Sequence, residues 1–135
     1  MTPTDVLREH ESTLGGHLKI RFVSDSKDLV IGEMDAGRTH LTLGGRVHGG
    51  AIMAFADTVA AYATVLNLPS GQHGTTTIES KTNFFRAASP GVLRAEAKPL
   101  HRGRSTMVWQ TTITGPGGEQ VAIVTQTQFV IPPKA

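Results

Sequence analysis

The segment that most restricts how this chain can fold is residues 51–68, AIMAFADTVAAYATVLNL. It is rich in alanine and long side chains and holds no proline or glycine before the Pro69-Ser70-Gly71 stop. That composition predicts a helix of four to five turns over about residues 49–67. Its apolar residues fall on every side, so the helix is expected to be buried on nearly every face. A helix this apolar needs something to wrap it.

The rest of the chain supplies a wrapping. Residues 17–23, HLKIRFV, alternate apolar and polar positions and read as a half-buried strand. A turn at residues 25–28 leads to a second strand, LVIGEM. A short apolar piece, HLTL, then runs into the glycine-rich stretch 44–50. After the helix, residues 75–86, 92–101, 105–114 and 120–131 read as four strands rich in Thr, Val, Ile and Phe. Residues 5–14, DVLREHESTL, predict a short N-terminal helix (about 4–15) stopped by Gly15-Gly16. One greasy helix among meandering strands is an α+β pattern, and an antiparallel sheet curved around the helix is its economical solution. No linker, repeat or low-complexity segment divides residues 1–135, so a single domain is expected.

Composition narrows the functional classes. With 39% apolar and 18% charged residues the chain is globular. It has no cysteine, which removes disulfides, thiolate metal sites and cysteine nucleophiles together. The first residues lack the basic-then-apolar pattern of a signal peptide, and a cytoplasmic setting is the expectation. A net charge of +2, with scattered basic residues, argues against a nucleic-acid face. The six histidines form no metal-ligand spacing, so no metal site is expected. P-loop, GxGxxG and G-x-S-x-G patterns are absent from the sequence.

Three features carry chemistry. Asp57 is the one acidic or basic side chain between His48 and His73, in the middle of the apolar helix. A buried carboxylate is costly unless it pairs, bonds or reacts, and Asp57 lies too far into the helix to cap it. It is therefore either a reactive acid or a structural polar contact at a subunit interface. His48-Gly49-Gly50 begins the same helix, where unpaired N–H groups and glycine's small profile suit an oxyanion hole or, alternatively, only a tight turn. His48 orients the reacting groups or bonds to the backbone. His101-Arg102-Gly103-Arg104-Ser105 forms a hairpin turn, which either binds phosphates or is merely solvated.

Gly49 and Asp57 are eight residues apart, which is about 12 Å along one helix. A carboxylate that far from a carbonyl-polarising N–H does not reach the same carbon. If both act together, Asp57 comes from a second copy across a two-fold axis, giving two equivalent sites per dimer.

Val47-His48-Gly49-Gly50, Asp57 and the strand TIESKTNFFR (residues 77–86) together resemble the hotdog-fold acyl-CoA thioesterases. The nearest branch is PaaI-like, which includes phenylacetyl-CoA and hydroxybenzoyl-CoA thioesterases. The likeness spans about residues 16–131. It implies a hotdog fold, homodimers commonly paired into tetramers, and active sites shared between subunits. It implies no cofactor, with coenzyme A entering as part of the substrate. By position, Gly49 would polarise the thioester carbonyl and Asp57 of the facing subunit would be nucleophile or general base. Thr77 would orient the attacking water. Gly50, Arg102, Gly103, Arg104 and Ser105 would contact substrate or CoA. The sequence departs from its relatives at Thr42, where many carry Asn or Gln.

The FPGHFP-type pattern of hotdog dehydratases is absent. The expected activity is hydrolysis of an aromatic or short- to medium-chain acyl-CoA. The alternative is a non-catalytic acyl-CoA binding or sensing protein. Met53, Ala54, Tyr62 and Phe84 are the expected lining of the acyl pocket.

Overall fold

The computed structural model describes residues 1–71 and 73–135. Its long helix, α3 (Gly49–Leu66), lies across one face of a six-stranded antiparallel sheet. In chain order the strands are β1 (Ile20–Asp25), β2 (Val30–Ala36), β3 (Gly74–Phe84), β4 (Gly91–Arg102), β5 (Thr106–Thr114) and β6 (Gln120–Ile131). They are arranged β1-β2-β4-β5-β6-β3, which makes β1 and β3 the edges. Every predicted strand after the helix is found with its ends within two residues. The expected hotdog architecture, an antiparallel sheet around a central helix, is what the chain forms.

The sheet faces the helix through alternating positions: Leu93, Ala95 and Ala97 on β4, Trp109 and Ile113 on β5, and Ala122 and Val124 on β6 are all fully buried. Phe55, Ala56, Val59, Ala60 and Ala63 meet them from α3. Small residues on both surfaces let the helix lie close to the sheet.

Two expectations change. The helix is not enclosed on nearly every face. A stripe through Gly50, Met53, Ala54, Asp57 and Ala61, spaced three and four apart, stays open or half-open in the single chain. The sheet has one concave side and covers only the opposite stripe. By length and composition α3 could cross a membrane, yet half of it is buried inside the sheet.

The N-terminal helix is also not one element, and Gly15-Gly16 do not end it. It splits into α1 (Pro3–His10), closed by a Thr2–Asp5 capping box, and the short α2 (Leu14–His17), which contains both glycines. His17 and Leu18 thus precede β1 rather than starting it. The His10 ring explains the glycine: a Cβ on Gly15 would lie 2.3 Å from His10 Cε1.

Tyr62, the chain's one tyrosine, is buried on α3 and donates its hydroxyl to Asp25 Oδ2 at 2.6 Å. Burial, and then this bond, hold its pKa above the ordinary 10.0. The stabilisation is complete below pH 10.0 and is lost as pH rises toward the folded-state value, because the unfolded phenol releases its proton first. Denaturation midpoints should therefore fall more steeply above pH 10.0 in wild type than in Tyr62→Phe. Phenolate absorbance should appear only as the protein unfolds.

Candidate active site

The approach to α3 is built to present one backbone N–H. Residues 41–47 form a small loop closed by the Leu41–Val47 bridge and by Thr42 N–H to Arg46 O at 2.8 Å. Gly44 and Gly45 make its turn with φ of 85° and 76°, which other residues adopt at a cost. His48 N–H then bonds to His40 O at 2.8 Å, fixing the entry to the helix.

A helix start leaves four N–H groups without intrahelical partners. His40 O takes one, the N–H of His48 itself, and His48 satisfies two more. Its Nδ1 accepts from Gly50 N–H at 2.8 Å, and its carbonyl accepts from Ala51 and Ile52 at 3.0 and 3.2 Å. Among the described residues nothing accepts from Gly49 N–H. Gly49 borders a hollow of about 360 Å³ lined in part by Thr42, Val47, Phe84 and Phe85. His48 thus acts on the backbone, and because Nδ1 accepts, the neutral ring carries its proton on Nε2.

Asp57 is the centre of a second construction. Its Oδ1 accepts from Thr77 Oγ1 at 2.6 Å and from Gln126 Nε2 at 3.1 Å. Thr77 Oγ1 in turn accepts from Gln128 Nε2 at 2.6 Å, and Gln128 Oε1 accepts from Thr75 Oγ1 at 2.9 Å. The carboxylate is held through one oxygen, and Oδ2 takes no bond from a described residue. Asp57 faces a small hollow with Met53, Ala54, Thr77 and Ser80. A bulge after Thr77 leaves Ile78 unpaired, so Thr77 and Ser80 both turn inward although they are three residues apart.

The structure brings Asp57 and Thr77 into contact and places His48, Gly49 and Gly50 together at the helix start. It does not join the two groups, which line different hollows. The Thr77 hydroxyl donates to the carboxylate, so it orients Asp57 itself. Gly50 N–H is taken by the His48 ring and acts through it. Arg102 Nη1 is engaged by Asp28 Oδ1 at 2.8 Å and Lys27 O at 3.0 Å, tying β4 to the β1–β2 turn. Gly103 closes the hairpin through its N–H to Thr106 O at 2.8 Å. Arg104 and Ser105 are exposed, and they line a separate hollow of about 300 Å³ with His73, Phe129 and Pro132. Among the described residues Arg104 makes no salt bridge. Of the expected acyl-pocket residues, Met53 and Ala54 border Asp57, whereas Phe84 packs against Gly49.

Gln126 and Gln128 escaped the sequence reading. Both are fully buried, and both occupy the inward parity of β6, in line with Ala122, Val124 and Val130. Two glutamines at consecutive core positions of a strand were the available signal, since buried amides need partners.

The family model of the thioesterase superfamily matches residues 44–122. The chain is 35% identical over 104 residues to the proofreading thioesterase EntH of Klebsiella pneumoniae, covering 76% of this chain and 74% of that one. Its fold matches the solved structure of a mutant of thioesterase PA1618 from Pseudomonas aeruginosa with a TM-score of 0.90 and 25% identity, over 98% and 96% of the two chains. The PaaI protein of the Escherichia coli phenylacetic acid degradation operon has the same fold, at a TM-score of 0.84 and 23% identity over 98% and 93%. This chain belongs to the thioesterase superfamily and is a hotdog thioester hydrolase.

The network around Asp57 should be measurable without any substrate. A double-mutant cycle of Asp57→Ala and Thr77→Val, followed by chemical denaturation, should give a coupling energy of about 1–2 kcal/mol.

Proposed function

We propose that the chain hydrolyses an acyl-coenzyme A to the free acid and CoA, at a site completed by two copies of the chain. The observation that carries this reading is the division of labour along α3. One free N–H stands at its start, and one carboxylate with an unbonded oxygen stands about 12 Å further on. Two helices packed antiparallel along the open Met53–Ala54–Asp57 stripe bring Gly49 of one copy beside Asp57 of the other. Apart from Asp57 the stripe is apolar, and Gly50, Ala54 and Ala61 are small enough for close packing.

In such a site Gly49 N–H and the helix dipole stabilise the oxyanion that develops on the thioester oxygen. Asp57 Oδ2 serves in one of two ways. As general base it takes a proton from water while the water oxygen bonds to the carbonyl carbon, after which the C–S bond breaks and CoA leaves as the thiol. As nucleophile Oδ2 itself bonds to that carbon and expels CoA, and water then cleaves the acyl anhydride. Both routes need the oxygen that Thr77 and Gln126 leave free. Arg104 and Ser105 supply a cation and a hydroxyl for CoA phosphates. The acyl group in this reading is aromatic or a short to medium aliphatic chain.

Thiol release from a panel of acyl-CoAs tests the reading. Asp57→Asn should lower kcat by about 10²–10⁴-fold while the protein stays folded, and undiminished turnover in that variant would remove Asp57 from the mechanism. Shared sites are tested by mixing. Gly49→Pro removes the donor at a helix position that tolerates proline. Asp57→Asn and Gly49→Pro should each be inactive alone and should recover about a quarter of wild-type activity when refolded together, since half the dimers are mixed and each holds one intact site. No recovery would mean that the two groups do not work across an interface.

A further inference from the structure

Gln126 occupies a position where an amide costs the fold. Its side chain is fully buried, in line with the apolar Ala122, Val124 and Val130 of the same strand. Its Oε1 has no hydrogen-bond partner among the described residues. The neighbours in its cross-strand row fare the same way. Gln126 pairs with Trp109 on β5 and with Ser80 on β3, and Trp109 Nε1 and Ser80 Oγ are also buried without partners. Unpaired buried polar groups destabilise a fold, and three of them meet in one row beneath the acid. The one hydrogen bond that the Gln126 side chain does make goes to Asp57.

Two arms reach Asp57 Oδ1, and in each the direction of donation is set by the groups behind it. Gln126 Nε2 donates directly, at 3.1 Å. Turning that amide over would set Oε1 against the carboxylate, two acceptors with no proton between them. The second arm is indirect. Thr77 Oγ1 has one proton to give, and Gln128 Nε2 meets that oxygen as a donor at 2.6 Å, so the proton goes to Asp57. Gln128 is held this way round by Thr75 Oγ1, which donates to its Oε1 at 2.9 Å. Gln128 thus stands in series with Thr77, and Gln126 stands in parallel with both.

We propose that Gln126 and Gln128 are positioning residues for the hydrolysis, holding Asp57 Oδ1 by two separate arms so that Oδ2 stays directed at the reacting carbon. The proposal rests on the thioesterase reading with Asp57 as the reacting acid. A carboxylate held by a single donor can swing about that bond. A second donor from a different strand removes the freedom before substrate arrives. Neither glutamine lines the hollow beside Asp57, which is walled by Met53, Ala54, Thr77 and Ser80. Losing either amide therefore weakens the chemical step and leaves substrate binding as it was.

The experiment is steady-state thiol release from acetyl-, hexanoyl-, benzoyl- and phenylacetyl-CoA, with a melting curve for each variant. Methionine matches the length of glutamine without its donor, and it suits a core position. Gln126→Met and Gln128→Met should each lower kcat by about ten-fold or more while KM stays within about two-fold. Gln128→Met should add nothing to Thr77→Val, because it acts through that hydroxyl. Gln126→Met should slow Thr77→Val further, because it reaches the carboxylate by its own route. Unchanged kcat in folded Gln126→Met overturns the proposal and leaves the thioesterase reading standing. A loss seen in KM alone does the same, as does a Gln128→Met loss equally large with and without Thr77→Val. Should Gln126→Met not fold, the Gln128→Met comparison decides by itself. No thiol release from any of the four by wild type overturns the thioesterase reading and this proposal with it.

Discussion

A carboxylate in an apolar helix is the constraint around which this structure is arranged. Ionised Asp57 loses water on entering α3, and the chain replaces that water with fixed donors from two strands. Thr77 comes from the edge strand β3 and Gln126 from its neighbour β6, while Gln128 and Thr75 hold Thr77 in turn. The pairing of Thr77 with Gln128 in the β3–β6 ladder is therefore part of what holds Asp57. Shifting that register by one residue would turn both glutamines outward and leave the acid without support. Orienting one carboxylate oxygen through neutral donors also leaves the second oxygen available for chemistry.

The start of α3 solves the complementary problem. A helix N-terminus attracts negative charge, but its donors are useful at a reacting centre only if a known one is left open. His48 achieves this by engaging two of the four through its ring and its carbonyl, while a third, its own N–H, goes to His40 O. Gly50 allows the fit: a Cβ there would meet His48 Cε1 at 2.9 Å. A residue type often associated with proton transfer here has a positioning task, and it determines which N–H is left without an acceptor among the described residues.

Much of this was legible in the sequence because the signals were local. The alanine-rich run specified α3, and alternation with glycine-proline turns specified β3 to β6. The isolated Asp57 marked the site because nothing charged surrounds it in the chain. What was hidden depended on contacts between distant residues. The split between α1 and α2 follows from the His10 ring meeting Gly15, which no propensity reveals. The two glutamines belong to a strand whose pattern reads simply as Thr- and Val-rich β. Arg102 and Arg104 are equivalent as letters, but only the fold turns the first toward Asp28 and leaves the second facing solvent. The open stripe on α3 was masked by its composition, since alanines and a methionine look the same whether they face a sheet or await a neighbour.

The bulge at Ile78 makes β3 a strand with two phases. Before it, odd-numbered residues face the helix; after it, even-numbered ones do, as Ser80 and Thr82 show by their burial. Length is therefore a property of this segment separate from its letters. Replacing Ile78, which is 59% exposed, changes one surface residue. Deleting it would remove the bulge and leave Thr77, Glu79 and Ser80 opposite Gln128, Thr127 and Gln126 in an unbroken ladder, each on the face it already occupies. Among homologues, a single-residue gap at this point would signify a strand that has lost its kink and kept its inward-facing residues, whereas a gap at a paired residue would not.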